Sequence, residues 1–277
     1  MELEIIKYIQ SFSNPILDNV FQFITILGEE YFYILFLTIT YWFINKKFAY
    51  KLGFTFLISG ILNCAIKDLF KFKRPIGTNG IRSLRISTAT GFSFPSGHTQ
   101  NAAAFWFFLI KNIKKQWINI LGTIMIFSIG LSRLYLGVHW PKDVIAGILL
   151  GIASVFITDS LFEYSEINNK PQVFLFILIP AFLGLFFFRS PDYYKAVGIS
   201  TGFYIGYILE SKFINFEINK SLKLNVVKFF IGIIPIILIK IYIKKFLPES
   251  ILSDLIRYFL IGIYTTTVAP ISFKKIH

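Results

Sequence analysis

Long apolar stretches separated by short polar ones make up most of this chain. A membrane crossing requires about 20 apolar residues, or somewhat fewer when flanking residues reach the interface. On this measure about nine stretches qualify, and they lie near residues 30–46, 50–67, 98–113, 117–135, 141–159, 172–189, 194–211, 224–243 and 254–272. The pattern predicts an all-α fold, a polytopic transmembrane helical bundle.

The segment before the first of these stretches has a different pattern. Asn14 is suited to the N-cap of a helix and Pro15 to its first position. The polar residues that follow recur at three- and four-residue spacing, and they are Asp18, Asn19, Gln22 and Thr25. Apolar residues cover the other face, so the segment is expected to lie along the membrane surface as an interfacial helix.

Composition excludes an ordinary soluble domain. The chain is 55% hydrophobic and only 16% charged, with a mean hydropathy of +0.64, whereas soluble domains are about 25% charged. A single cysteine, Cys64, excludes an intrachain disulfide and a cysteine-rich metal site. The net charge is +13, and the basic residues lie mainly in inter-helix loops. The sequence does not predict a groove in which aromatic residues alternate with these basic ones. This favours anionic lipid headgroups and a phosphorylated substrate, and not nucleic acid, as partners.

Three polar stretches interrupt the apolar pattern and carry the candidate chemistry. They are Lys67-x6-Arg74-Pro75, Pro95-Ser96-Gly97-His98 and Ser132-Arg133-x5-His139-x3-Asp143. Phosphoryl transfer consists mainly of positioning and of stabilising charge on the equatorial oxygens. Lys67, Arg74 and Arg133 can supply that positive charge without a metal ion. Snorkelling residues at helix ends are the structural alternative for these three cations.

The second stretch precedes an apolar run, so it is expected at the start of a helix. The free amides of a first helical turn bind anions, and Ser96 could cap that turn. Gly97 would let a phosphate approach the backbone closely. An ordinary helix cap without a ligand is the alternative interpretation.

His139 and Asp143 are four residues apart, so a helical turn would place them on one face. The carboxylate could then accept the Nδ1 proton and leave Nε2 as a nucleophile, with His98 as the general acid. Ligation of zinc or iron by His98, His139 and Asp143 is the chemical rival. The surrounding cations would repel a divalent metal, so neither a metal nor a cofactor is expected.

These stretches resemble the type 2 phosphatidic acid phosphatase (PAP2) superfamily, over about residues 30 to 159. The resemblance implies a phosphohistidine enzyme with His139 as nucleophile, His98 as acid and Asp143 as the residue that orients His139. It also implies a set of phosphate binders, which are Lys67, Arg74, Ser96, Gly97 and Arg133. The segment 133–141 looks especially like the lipid phosphatase branch, and the longer helical layout is weakly similar to sphingosine-1-phosphate phosphatases.

We therefore expect three segments: an interfacial helix at 1–29, a catalytic core at 30–159, and additional transmembrane helices at 160–277. The expected activity is metal-independent hydrolysis of a phosphomonoester or pyrophosphate on a lipid. The lipid types considered are phosphatidic acid, phosphatidylglycerophosphate, isoprenyl phosphate and sphingoid phosphate. A phosphotransferase with the same intermediate and a non-enzymatic anion- or lipid-binding transporter are the alternatives. The C-terminal spans are expected to border the lipid tail or to form an oligomer contact, although an added stabilising layer explains them equally well.

Orientation follows from the requirement that one active site cannot be split across the bilayer. The three polar stretches then share one face, which also holds Lys71, Lys73, Arg82 and Arg85 as expected headgroup-attracting residues. The opposite loops and helix ends hold Lys46, Lys47, Lys51, Lys111, Lys114, Lys115, Lys170, Lys212, Lys220, Lys223, Lys228, Lys274 and Lys275. Several cations on the first face have a catalytic reason to be there, so the lysine-rich loops are expected to be cytoplasmic. The active site is accordingly expected to face outward from the plasma membrane.

Overall fold

The computed structural model describes residues 1–219 and 221–276, so Lys220 lies outside the described residues. The chain is 79% helical, and no strand occurs in the described ranges. The predicted all-α class is confirmed. The helices, in chain order, are α1 (Glu2–Ser11), α2 (Pro15–Ile26), α3 (Glu30–Phe43), α4 (Lys46–Phe70), α5 (Gly97–Ile113), α6 (Gln116–Tyr135), α7 (Pro141–Asn168), α8 (Leu175–Gly184), α9 (Pro191–Leu209), α10 (Leu222–Phe246), α11 (Ile251–Ile263) and α12 (Ala269–Lys274).

The predicted count of nine spans is not confirmed. Judged by length and composition, the described residues contain five helical stretches able to cross a membrane. These are α4, α6, α7, α10 and the continuous stretch Ile251–Lys274, in which a π-helical turn joins α11 to α12. Helix α5 has 17 residues and the apolar stretch Pro171–Gly184 is shorter still. The five stretches support an integral membrane protein.

The N-terminal segment is expected to form an interfacial helix, whereas α2 and α3 together could also cross the membrane. The Asn14 side chain accepts a hydrogen bond of 3.0 Å from the Leu17 amide, so the predicted cap is present. However, α2 and α3 are bent by 41° relative to each other, and together they are long and apolar enough for one broken span or a re-entrant loop. They would raise the number of candidate spans to six.

The chain forms two compact units. The first comprises residues 1–34 and 65–157, and the second comprises 35–64 and 158–277. Residues 35–64 therefore group with the C-terminal helices, whereas the sequence had suggested a catalytic core running from 30 to 159. The boundaries fall inside α3, α4 and α7, because each of these helices contributes one part to each unit.

Close helix packing in the first unit depends on glycine. A Cβ atom added to Gly151 of α7 would lie 2.5 Å from the carbonyl oxygen of Gln100, and one added to Gly147 would lie 2.8 Å from that of Ser96. Only residues without a side chain allow α7 to approach the α5 backbone so closely. This packing sets the start of α5 beside the start of α7.

The second unit has an aromatic core. Phe54 stacks on Phe174 with ring centroids 4.0 Å apart, and Phe203 packs edge-on against Phe54. Aromatic residues bury a large apolar area and gain additional energy from such geometries. Near this core the buried Glu210 carboxylate accepts hydrogen bonds from Lys46 Nζ at 2.8 Å and the Tyr50 hydroxyl at 2.9 Å, so this buried charge is paired.

Candidate active site

All of the predicted site residues lie in the first unit. Lys67 is in the last turn of α4 and Arg133 in the last turn of α6. Arg74 lies in the loop between α4 and α5, and His139 lies in the turn between α6 and α7. The ends of four helices thus supply the candidate chemistry.

The turn before α7 contains His139, and Asp143 lies in the first turn of that helix. His139 Nδ1 is 3.3 Å from Asp143 Oδ2, and both residues are buried. The same carboxylate oxygen accepts the Trp140 amide at 2.8 Å and the hydroxyl of Ser93. These donors fix the carboxylate, and the carboxylate in turn fixes the imidazole ring.

Arg74 contacts the other side of the imidazole. Its Nη1 atom lies 2.8 Å from His139 Nε2 and donates to the Val138 carbonyl at 2.9 Å. Its Nη2 atom donates to the Thr90 carbonyl at 2.7 Å. The loop between α4 and α5 therefore holds the guanidinium directly in front of the predicted nucleophilic atom.

This contact determines the tautomer of His139. Burial lowers the pKa of Arg74 to about 10, so the guanidinium stays charged at neutral pH and can only donate. His139 Nε2 must then be the acceptor, and the ring proton must be on Nδ1, facing Asp143. Burial lowers the pKa of His139 well below its ordinary value, and the nearby charges of Arg74 and Arg133 lower it further. The ring is thus neutral with a lone pair on Nε2.

The Pro95-Ser96-Gly97-His98 stretch forms the start of α5, as predicted. Ser96 occupies the N-cap position, but its side chain makes no capping bond. The expected side-chain cap is absent because Ser96 Oγ pairs with the Thr99 hydroxyl at 3.0 Å. The Ser96 amide donates to the Asp143 carbonyl at 2.9 Å, which joins the starts of α5 and α7.

Two of the predicted groups have buried nitrogen atoms without a hydrogen-bond partner in the described structure. They are His98 Nε2 and, in Arg133, both Nε and Nη2. Arg133 is fully buried, and the one hydrogen bond of its side chain within the described residues runs from Nη1 to the Thr25 hydroxyl at 2.6 Å. Lys67, Arg74 and Arg133 all act electrostatically on both histidines. Buried unpaired donors are costly, and a bound oxyanion would satisfy them.

Two of the cations expected to attract headgroups have protein partners instead. Arg82 forms a bidentate ion pair with Asp18, in which Nη1 donates to Oδ2 at 2.7 Å and Nη2 donates to Oδ1 at 2.6 Å. Arg85 pairs with Glu29. The physical reason is that the polar side of α2 and the bend after it contact these loop residues, which the sequence pattern of an interfacial helix could not indicate.

Sequence reasoning did not identify Ser93 or Thr25 as part of this site. Ser93 stands between two phenylalanines, and an isolated hydroxyl of this kind gives no signal. Thr25 did give a sequence signal, because it belongs to the polar face of α2. That face, however, is expected from the sequence to lie at the membrane surface and not against Arg133.

The turn between α6 and α7 requires glycine. Gly137 has a φ of +63°, and an added Cβ atom would lie 2.3 Å from the Arg82 carbonyl oxygen. Both features exclude a larger residue without rearrangement. Val138 and His139 follow directly, so this turn determines where the imidazole lies.

In the ranges 1–219 and 221–276, no group of three or more His, Cys, Asp or Glu side chains is placed to hold a metal ion. His98, His139 and Asp143 do not form such a group. The side chains that converge on His139 are mainly cationic, and the arrangement is suited to an oxyanion.

Residues 48–166 match the PAP2 superfamily, and residues 194–277 match the PAP2 superfamily phosphatase transmembrane extension. Human sphingosine-1-phosphate phosphatase 2 is 27% identical over 73% of this chain, which covers 56% of the human protein. Undecaprenyl-diphosphatase from Sulfolobus acidocaldarius is 32% identical over 62% of this chain, which covers 83% of the archaeal protein. The chain thus spans little more than half of one relative and most of the other.

Among solved structures, that of Aquifex aeolicus LpxE is similar with a TM-score of 0.52 and 28% identity. The similarity covers 57% of this chain and 94% of LpxE. The PAP2 match over residues 48–166 includes every predicted site residue, from Lys67 to Asp143. The resemblance seen in the three polar stretches is therefore confirmed, and the chain belongs to the PAP2 superfamily of phosphatases.

Proposed function

We propose that this protein hydrolyses the phosphate monoester or diphosphate of a membrane lipid through a phosphohistidine on His139. The observation that carries the proposal is the pair of contacts on the imidazole, with Arg74 donating to Nε2 and Asp143 facing Nδ1. They define a neutral tautomer whose lone pair lies next to a cation suited to phosphate. A purely structural histidine would not need this combination.

In the first step, His139 Nε2 attacks phosphorus and the bond from phosphorus to the leaving oxygen breaks. The negative charge of the bound phosphate favours a protonated His98, which gives its proton to that oxygen. The imidazolium formed on attack is stabilised by Asp143. Lys67, Arg74 and Arg133 would neutralise the equatorial oxygens, and the Ser96 hydroxyl and the first-turn amide of Gly97 would donate hydrogen bonds to them.

In the second step, water attacks the phosphorus of the phosphohistidine, and the bond from phosphorus to Nε2 breaks. His98, now neutral, takes a proton from the water. Inorganic phosphate leaves, and both histidines return to their initial states. No step requires a metal ion in this scheme.

The lipid nature of the substrate is supported by the relatives. The names of the two relatives above specify sphingosine 1-phosphate and undecaprenyl diphosphate, and those of two relatives that match over shorter stretches specify phosphatidylglycerophosphate and lipid A. These headgroups differ, but each is a phosphate or diphosphate on a lipid. We propose that the headgroup reaches the site at the outer surface of the plasma membrane while its chain stays in the bilayer.

The direct test is to trap the intermediate. Brief incubation with a lipid substrate labelled with 32P at the phosphate should give an acid-labile, alkali-stable phosphoprotein, and His139→Ala should not form it. Vanadate should inhibit turnover. Release of labelled phosphate without any labelled protein would contradict the covalent mechanism, whereas transfer of label to an added alcohol in place of water would indicate a phosphotransferase.

Metal independence requires its own measurement. Phosphate release should continue in excess EDTA, because three protein cations supply the charge that a metal would otherwise supply. Loss of activity on chelation, with recovery on adding back one metal, would refute this part of the proposal.

A further inference from the structure

The contact between Arg133 and Thr25 joins the predicted phosphate site to a segment outside the PAP2 match. That match begins at residue 48, whereas Thr25 lies in the last turn of α2. Thr25 is fully buried, and its hydroxyl accepts the Arg133 Nη1 donor at 2.6 Å. Residues preceding the matched region thus reach a central cation of the site.

The Arg133 guanidinium has few hydrogen-bond partners among the described residues, so its contact with Thr25 is important for its orientation. A guanidinium has five N–H donors in a fixed planar arrangement. One donor is used by Thr25, and the Nε and Nη2 atoms are buried without a partner among the described residues. Fixing Nη1 fixes the orientation of the whole plane, because the group is rigid. The remaining donors are then held ready for the oxygens of an anion.

The surroundings of Thr25 show that α2 is itself held in place. Asp18, two turns earlier, accepts the Tyr135 hydroxyl at 2.6 Å. Phe21, on the same side, stacks on the Tyr135 ring with centroids 4.2 Å apart. Gly28, just beyond α2, packs beside His98, where an added Cβ atom would lie 3.4 Å from the His98 Cβ. Helix α2 is therefore anchored to the end of α6 on which Arg133 lies.

We infer that Thr25 is a positioning residue that orients Arg133 toward the transferred phosphate, so that α2 belongs to the phosphate-binding apparatus. The inference rests on the proposed role of Arg133 as a phosphate binder. Thr25 itself touches no substrate; it acts through the guanidinium.

The inference is tested by measuring how strongly phosphate and vanadate inhibit turnover in two variants of Thr25. Thr25→Val keeps the side-chain shape and removes the hydroxyl, whereas Thr25→Ser keeps the hydroxyl. A hydrogen bond to a charged group contributes about 1.5–3 kcal/mol, so loss of this contact is expected to weaken phosphate binding about 10-fold or more. The inhibition constants of inorganic phosphate and vanadate should rise by that factor in Thr25→Val. Thr25→Ser should restore them to within about 3-fold of the unmodified protein.

Thr40→Val is a matched control. Thr40 is also a buried threonine near the N-terminus, but its hydroxyl donates at 2.7 Å to the Phe36 carbonyl within its own helix. This variant should leave both inhibition constants unchanged. If Thr40→Val and Thr25→Val gave the same increase, general destabilisation would be the cause and the inference would be wrong.

A double-mutant cycle with Arg133→Gln separates this inference from the proposed function. If Thr25 acts through Arg133, Thr25→Val should have no further effect on phosphate affinity in the Arg133→Gln protein. A full and additive loss there would overturn the positioning role while leaving the phosphohistidine mechanism intact. If Arg133→Gln alone left phosphate affinity unchanged, the assignment of Arg133 as a phosphate binder would fail instead. Vanadate binding measured by calorimetry gives the same comparison for any variant that folds but does not turn over.

Discussion

At the residue scale, the two histidines of the site differ in their surroundings. His139 has a partner on each ring nitrogen, whereas His98 has a buried Nε2 without a partner in the described structure. The first arrangement is suited to a nucleophile of fixed tautomer. The second leaves a nitrogen available for a group brought by the substrate.

This difference predicts separate kinetic effects. His139→Ala should abolish turnover of every substrate, because no phosphohistidine can form. His98→Ala should retain relatively more activity on p-nitrophenyl phosphate than on a lipid phosphate, because a good leaving group needs less protonation. The measurement is kcat/KM of each variant on both substrates. Equal proportional losses would argue against His98 as the acid.

The lowered pKa of His139 predicts the position of the acid limb of activity. The neutral ring is the nucleophile, so the free enzyme should lose activity only as pH falls through that lowered pKa, below the ordinary value of 6.5. Arg74→Gln removes one positive charge beside Nε2, which should raise the pKa of His139 and move the limb to higher pH. Burial, the largest cause, remains in the variant, so the shift should be partial.

The profiles of kcat/KM against pH are compared with one substrate for both proteins. Titration of the substrate phosphate then contributes equally to each curve, and a difference between the limbs reports on the enzyme. A limb that stayed in place in Arg74→Gln, or moved to lower pH, would contradict the electrostatic role of Arg74.

At the element scale, the turn joining α6 to α7 connects backbone geometry to catalysis. Gly137→Ala should strongly destabilise the protein, because it places a Cβ atom at positive φ and against the Arg82 carbonyl. The left-handed conformation costs about 1–2 kcal/mol for a residue other than glycine, and the backbone clash adds to it. The expected results are a lower Tm and a lower kcat, since His139 lies two residues further on.

Gly77→Ala is the control for this prediction. Gly77 also has a positive φ, of +82°, but no atom lies within 4 Å of its added Cβ. It therefore measures the backbone cost alone. If Tm decreased by the same amount in both variants, the clash with the Arg82 carbonyl would have no measurable effect on stability.

The helices themselves could be predicted from the sequence, because long apolar runs and end signals such as Pro15 and Pro141 are local. The spacing of His139 and Asp143 was informative for the same reason. The partners of Arg133 and Arg82 were not predictable, because Thr25 and Asp18 lie over 60 residues away in sequence. Their amphipathic pattern fits both a membrane surface and a polar protein face. Periodicity alone does not distinguish these environments.

At the scale of the whole molecule, the second unit contains none of the predicted site residues. Substitutions in its packed core are expected to change the binding of the lipid substrate and to leave the rate of the chemical step unchanged. Leu178→Phe, at a buried position of α8, should change KM and chain-length preference for lipid phosphates. Turnover of a short soluble phosphate ester should change little.

Ile179→Phe, at the neighbouring position with 55% exposure, is the control and should affect neither substrate. The expected result is a KM that depends on chain length in Leu178→Phe alone, measured over lipid phosphates of graded length. Loss of hydrolysis of both substrate types by a folded Leu178→Phe protein would mean that the catalytic site extends beyond the first unit.

The order of the two units along the chain has a consequence for biosynthesis. Residues 35–64 leave the ribosome early, yet Trp42 packs on Phe273 and Tyr50 on Phe203, which are made much later. The early segment can make these contacts only after Phe203 and Phe273 have been synthesised. A gene truncated after the PAP2 match at residue 166 would encode every predicted site residue but leave these early aromatic side chains without their partners. Such a product should be degraded by membrane quality control before it can accumulate.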